Sequence, residues 1–360
     1  MLMISAVATL CIVIATVLPL SKNPHWVVRG LDFPRLQIAL LAAVLLVVHF
    51  VFLDLHMPLV WLLITATASC FVWQLCWVLP YTLIWPNEVK TAKVDDPNRQ
   101  LSIITANVLQ TNRNSAALLD LVKQYQPDIL VTLESNQWWQ DRLEVLATEM
   151  PHSVKCPLEN LYGMHVYSKL PFSQEHIAYL VEEDIPSIHL CLELRSGDTV
   201  QMHFVHPAPP SPTENPESIE RDAELITIAR RVAESEQPVI VTGDLNDVAW
   251  SATTRLFRKI SGLLDPRVGR GMFNTFHVSF PFLRWPLDHL FHSSHFTVKH
   301  IQRLPSIGSD HFSLFTQLVY EPAESTNQQG LTATGEDHAE AKRVAQEKDV
   351  SKNDVPELSS

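Results

Sequence analysis

Charge is scarce at the start of this chain. Across residues 1–85 only Lys22, Arg29, Arg35, Asp32 and Asp54 carry it, for a net +1. Residues 321–360 have no aromatic side chain and few large aliphatic ones, and carry nine acids against four bases. With −12 for the whole sequence, residues 86–320 are left with −8. Each scarcity excludes something. A nearly uncharged segment of that length, filled with apolar runs, is a poor candidate for an ordinary soluble fold. A tail without large apolar groups is predicted to be disordered over 321–360, because nothing offsets the entropy of ordering it. A negative central region, with no Lys/Arg cluster interleaved with aromatics, lacks the surface that releases counterions from nucleic acid.

Cysteine is scarce too. Cys11, Cys70 and Cys76 lie in the apolar runs, leaving Cys156 and Cys191 outside them. No Cys/His spacing suits a zinc site. At most one disulfide could form outside the runs, and two unpaired thiols are expected.

The apolar runs are 2–18 (LMISAVATLCIVIATVL), 36–53 and 58–85. At about 1.5 Å per residue each can cross, or nearly cross, a hydrocarbon core of roughly 30 Å. Three transmembrane helices are therefore predicted, at about 2–20, 36–53 and 58–85. The first run lacks the basic start and small-residue cleavage site of a secretory signal. Trp26, Trp61, Trp73, Trp77 and Trp85 fall in or beside the runs, where an interfacial aromatic belt would put them. With three spans, the loop 21–35 and everything after residue 86 share one side. That side holds Lys22, Arg29, Arg35, Lys90, Lys93 and Arg99, and the other side has no Lys or Arg. The positive-inside rule then predicts a cytoplasmic soluble domain.

After a linker, 86–100, the pattern changes to short apolar runs of strand length. LSIITANV, DILVTLES, IHLCLELR, TVQMHFVHP and VIVTGD read as strands. SAALLDLVKQYQPD and ERDAELITIARRVAES read as amphipathic helices, the first with Leu118, Leu119, Val122 and Tyr125 inward and Pro127 as its stop. The inner face of the second carries Leu225, Ile228 and Val232. Repeats are absent. This mixture predicts a layered α/β or α+β domain over 101–320. Polar residues recur at its strand boundaries: Asn107, Glu134, His206, Asp244, Asn246, Asp288, Asp310 and His311. Any one of them alone would be an ordinary turn former. Eight together can converge on one rim of a sandwich. Asp247, next to Asn246, is read as the turn residue.

The segments NV (107–108), LVTLES, VHPAPP, VTGDLND, PLDHLF and GSDHFSL, in that order, resemble the endonuclease/exonuclease/phosphatase superfamily. Its members include DNase I-like nucleases, inositol-polyphosphate phosphatases and bacterial sphingomyelinases. The resemblance covers about 101–320. GDLN with a terminal SDH is specific, PLDHLF stands at the expected distance before SDH, and Thr275 and Phe276 fit the approach to the Asp288 strand. YGMHVYSKLPF fits only loosely, so Tyr162 and His165 receive no role. The resemblance implies an α/β fold, a four-layer DNase I-like sandwich, here preceded by three transmembrane helices. Membrane-tethered bacterial members exist, which implies a multi-pass protein of a bacterial inner membrane.

Phosphoester hydrolysis needs neutralised phosphoryl oxygens, an activated water and help for the leaving oxygen. Asn107, Glu134 and Asp310 offer hard oxygen ligands for Mg²⁺ or Mn²⁺. By resemblance Glu134 is the principal ligand and Asp288 orients His311. Asp244 would position or deprotonate the attacking water, Asn246 would donate to a non-bridging oxygen, and His206 would contact the phosphate or assist the leaving group. Whether Asp244 or the Asp288–His311 pair is the base stays open. The expected activity is that of a membrane-anchored phosphodiesterase or phosphatase, with the bilayer as partner and a lipid-linked phosphoester preferred over nucleic acid. A nuclease of the same fold and an inactive membrane scaffold are the alternatives. No protein partner is indicated.

Overall fold

A computed structural model describes residues 1–358. The chain opens with α1 (Leu2–Val17), the short α2 (Trp26–Gly30), α3 (Arg35–Phe52) and α4 (Pro58–Val78). Short 3₁₀ turns extend α1 to Ser21 and α4 to Tyr81. The third run thus stops at Tyr81 rather than at 85, where Thr82 turns to extended backbone after Pro80. Between these helices the polar groups face inward. Thr9 Oγ1 lies 3.2 Å from Thr67 Oγ1 and 3.5 Å from His49 Nε2, and Gln74 Nε2 donates to Thr16 Oγ1 at 3.0 Å. Leu41, Val44 and Phe52 face outward, each more than 60% exposed. Polar inside and apolar outside reverses the pattern of a water-soluble bundle and suits a hydrocarbon surround. The helices α1, α3 and α4 are long and apolar enough to cross a membrane.

The remainder runs β1 (Gln100–Asn107), α5 (Ser115–Tyr125), β2 (Ile129–Leu133), α6 (Gln137–Leu143), β3 (His152–Cys156), β4 (Met164–Ser168), β5 (Phe172–Ala178), β6 (Ser187–Glu193) and β7 (Thr199–Val205). Then follow α7 (Ile219–Val232), β8 (Val239–Asp244), α8 (Ala252–Ser261), β9 (Asp288–His292), β10 (Phe296–Ser306), β11 (Phe312–Tyr320) and α9 (Gly335–Glu347). Six strands form one sheet in the order β10-β11-β1-β2-β4-β3, and five form the other as β5-β6-β7-β8-β9. The apolar runs of β1 and β2 face those of β6, β7 and β8 through Leu101, Ile103, Val131, Leu190, Met202 and Ile240. Burial on both faces explains why these strands read as continuous apolar runs. Helices α5 and α6 cover the first sheet through Leu118, Val122 and Trp139. Helices α7 and α8 cover the second through Leu225, Ile228 and Phe257. The result is the four-layer α/β sandwich that the sequence predicts.

Two expectations are corrected. Residues 86–100 do not hang free as a linker. Val89 is buried in the core between the sheets, Ala92 N–H donates to Val298 at 2.9 Å, and Glu88 receives the buried Arg258 guanidinium at 2.6 Å. Nor are residues 321–358 disordered. Helix α9 starts in a capping box made by Thr334 and Asp337. It sets Ala341 and Val344, three apart, into the cluster that covers the second sheet, and buries Ala345 beside them. Lys259 holds Asp337 at 2.9 Å. The composition averages over a helix whose buried apolar residues, Ala341, Val344 and Ala345, share one face, which is why it points to disorder.

Candidate active site

Strand pairing brings the polar ends together. Strands β1 and β2 are parallel with Asn107 opposite Leu133, so Glu134 emerges beside Asn107. Strands β8 and β9 are antiparallel with Asp244 opposite Asp288. Strand β7 runs parallel to β8 with Val205 opposite Gly243, which sets His206 beside Asp244. Strand β11 returns antiparallel to β1 and delivers Asp310 and His311 to the same rim. Gly243 is required there, because a Cβ would lie 1.8 Å from the Val205 carbonyl oxygen.

Asn107 Nδ2 donates to Glu134 Oε1 at 2.7 Å and to Asp244 Oδ2 at 3.2 Å. His311 Nδ1 stands 2.8 Å from Asp288 Oδ2, and its Nε2 lies 3.5 Å from Asp244 Oδ2. His206 Nε2 is 3.9 Å from the same oxygen. Asn246 donates its backbone N–H to Asp244 Oδ1 at 3.0 Å and its side-chain amide to Pro207 at 3.0 Å. Asp310 joins the group through its field on Glu134 and His311. All eight sequence candidates share this rim. Glu134 and Asn246 hold φ of 57° and 52°. For Glu, this left-handed conformation costs of order 1–3 kcal/mol and persists only where the surroundings impose it.

The electrostatics are uneven. Burial, aided by Asp310 and Asp244, pushes the Glu134 carboxyl up to about 7. Burial disfavours the His311 imidazolium, but Asp288 and Asp244 outweigh it and hold His311 up to about 10. Asp244 is buried as well, yet His311 and His206 keep its carboxyl below the usual range. His206 is driven down to about 4 by burial, against a smaller pull from Asp244. So Asp244 is ionised, His206 neutral and His311 cationic near neutral pH.

Among the described residues, no Lys or Arg side chain bonds to the carboxylate of Glu134, Asp244, Asp288 or Asp310, Arg267 reaching Asp288 at its backbone carbonyl. One imidazolium against four carboxylates leaves an excess that a hard divalent cation suits. Asp288 Oδ1 is also buried without a hydrogen-bond partner. Asn107 now points its NH₂ group between Glu134 and Asp244. A half-turn of that amide would present Oδ1 to a cation there, giving up its bond from Leu109 N–H. Ligand atoms of Asp244, Asp288 and His311 also lie within 4.8 Å of one another. Their spacing is that of a hydrogen-bonded carboxylate–imidazole–carboxylate chain, so the Glu134 side fits a metal better.

The sequence reading misplaced Asp247, passed over Arg221 and gave Tyr162 no role. Asp247 is no free turn residue. It is buried, accepts from Ser251 Oγ at 2.6 Å and lies 3.2 Å from the buried Arg221. Arg221 also donates to the Asn246 carbonyl at 2.9 Å, bracing the Asp244 loop. Its place four residues before Leu225, on the inner face of α7, was the available signal. Tyr162 sets its ring 5.2 Å from His206, and Phe276 sets its ring 4.8 Å from His311. Thr275 Oγ1 accepts the Asp288 N–H at 3.2 Å.

Solved structures share this architecture. The human Nocturnin catalytic domain is 17% identical, with 63% of this chain and 96% of that one covered at a TM-score of 0.51. A humanized TDP2 from D. rerio is 18% identical, covering 61% and 99% at 0.50. A functionally unknown conserved protein from Enterococcus faecalis V583 is 15% identical, covering 61% and 100% at 0.50. No curated protein sequence matches the chain. The model of the Endonuclease/Exonuclease/phosphatase family matches residues 104–311. That is more than half of the sequence, and it begins within β1 and ends at His311: this chain belongs to the endonuclease/exonuclease/phosphatase family.

Proposed function

We propose that this protein is a membrane-anchored, Mg²⁺- or Mn²⁺-dependent phosphoester hydrolase acting on a lipid-linked or membrane-proximal phosphoester. The observation that carries it is the rim where the carboxylates of Glu134, Asp244, Asp288 and Asp310 meet without a Lys or Arg partner, beside a cationic His311. Glu134, with Asn107 and Asp310, would hold the metal. Bound there, the cation supplies neutralisation of phosphoryl oxygens and of charge on the leaving oxygen. Asp244, kept ionised, takes the proton of the attacking water. Asp288 fixes the His311 ring through Nδ1, so that Nε2–H donates to a phosphoryl oxygen as charge grows there. Asn246 can turn its amide from Pro207 toward a second such oxygen. His206, neutral and braced by Tyr162, closes the far side.

The lipid preference is supported by how closely the membrane segment approaches the domain. Trp26 N–H donates to Pro216, Ser218 N–H to Pro24, and Trp250 Nε1 to Asp32, each at 2.9 Å. The test is a substrate panel on the full chain in detergent. A metal-dependent rate on a chromogenic bis-phosphoester is expected, with chelator removing it. No turnover with either metal on any member of the panel would favour the scaffold reading. Plasmid nicking faster than release of any lipid phosphate would replace the substrate class. The cytoplasmic placement is tested by reporter fusions at the C-terminus of the full chain.

A further inference from the structure

One cavity opens on the catalytic rim and is walled by the membrane segment. It encloses about 530 Å³, within the range of sites that bury most of a small ligand. Its polar residues are His311 and Asn246, and its walls include Trp26, Phe33, Phe276, Trp285 and Leu287. Trp26 and Phe33 belong to the connection between α1 and α3, and the other three to the stretch leading into β9. Two parts of the chain far apart in sequence thus build one apolar chamber against the reacting centre. Water does not favour such a surface unless something apolar covers it.

The mouth lies beside the start of α3, with Gly30, Pro34 and Leu283 in its lining. Gln37, in the first turn of α3, donates from Nε2 to the Phe282 carbonyl at 2.8 Å. The loop that carries Phe282 is therefore fixed beside the start of a membrane-crossing helix. Phe280, Phe282 and Leu283 on this loop are 55%, 86% and 48% exposed. An exposed aromatic tip at that depth is placed to enter the interface. Substrate reaching the rim from this side would arrive with its hydrocarbon part leading into the cavity.

We propose that this cavity is the subsite for the hydrocarbon group of an amphiphilic phosphoester. His311 and Asn246 engage its phosphate while the aromatic walls hold the methylenes next to it. The proposal rests on the hydrolase reading above and adds what the site selects. Apolar burial contributes about 0.8 kcal/mol per methylene, a factor of roughly four in affinity. Nucleobases, with fewer apolar atoms and a polar edge, would gain less from the same walls.

The test uses the full chain in nanodiscs with short alkyl groups, in two arms. In the first, p-nitrophenyl methyl, butyl and hexyl phosphates are hydrolysed with Mg²⁺ or Mn²⁺ present. A rise in kcat/KM approaching fourfold per added methylene supports the subsite; turnover with a flat series overturns it and leaves the hydrolase reading standing. The second arm needs no turnover: methyl-, butyl- and hexylphosphonate are titrated and read by tryptophan fluorescence. Kd should fall by a similar factor per methylene, and an unchanged Kd overturns the proposal even if no ester is cleaved. The control is Gly30→Phe. Gly30 lines the cavity and a Cβ added to it meets no atom within 4 Å. Filling the space should flatten both series. A slope that survives in this variant reports partition into the bilayer instead, and overturns the proposal. Faster cleavage of a dinucleotide than of the hexyl ester would do so as well, by assigning the walls to base stacking.

Discussion

His311 is held between two carboxylates, and its behaviour belongs to the group. If Asp288 acts only through His311, then Asp288→Asn and His311→Ala should each cost about 10²–10⁴-fold in kcat. The double variant should be no worse than the poorer single one. Multiplying losses, measured as kcat for all three, would separate the two roles. Glu134 gives a prediction with a sign. Its folded carboxyl is raised to about 7 from an unfolded value near 4.5. Its favourable contribution is therefore present below the unfolded value and lost as pH rises through about 7. At pH 8 the buried charge should cost about 3 kcal/mol without a metal. Mg²⁺ offsets that charge, so the rise in Tm on adding Mg²⁺ should be larger at pH 8 than at pH 6. Glu134→Gln should abolish this pH-dependent gain. It should also lower activity by more than the roughly 10–100-fold typical of residues that only support a metal ligand.

At the scale of elements, α9 shows what composition conceals. Acidic residues that read as a solvated tail are answered by cations of the domain: Asp337 by Lys259 at 2.9 Å and Glu357 by Arg231 at 3.6 Å. The buried apolar residues Ala341, Val344 and Ala345 sit on one face. Val344→Ala removes two methyl groups from a buried contact and should cost about 1–2 kcal/mol. Truncation after Tyr320 should cost more, because Ala341, Val344 and Val355 leave the cluster shared with α7 and α8. Thermal unfolding in one detergent checks both. An unchanged Tm for the truncated chain would restore the disordered reading. Strands were easier to read than the tail, since runs such as Val239–Val241 are buried on both faces and need no partner to be recognised.

For the whole molecule, the N-terminal apolar segment and the α/β domain are packed together. Arg258 on α8 is 2% exposed and bonds to Glu88 and to Tyr81 Oη, the latter at 3.2 Å. Glu88→Ala would leave a buried guanidinium short of its charge partner, and breaking such a pair costs about 3–5 kcal/mol. A soluble fragment beginning at Asp95 loses Glu88 and Val89 together. It should express poorly or unfold at a markedly lower temperature than a fragment beginning at Thr82. Equal melting temperatures for the two fragments would show that the contact adds nothing.

Much of this molecule was legible in one dimension because its signals are local. Uncharged runs of membrane length, strand-length apolar runs and polar residues at strand ends depend only on neighbours along the chain. GDLN, PLDHLF and SDH carry, in that order along the chain, residues that the fold brings to one rim. What the tertiary structure decided are pairings across long separations. Asp247 meets Arg221, Glu88 meets Arg258, and Tyr162 meets His206 only after β-sheet register has been set. The apolar chamber is of the same kind. Trp26 and Trp285 are separated by most of the chain, and no periodicity links them. Both line one cavity, and the segments that carry them are joined by Gln37 bonding to Phe282 and Trp250 bonding to Asp32. A local pattern fixes which face of an element is apolar; which other face covers it is settled by the packing of the whole fold.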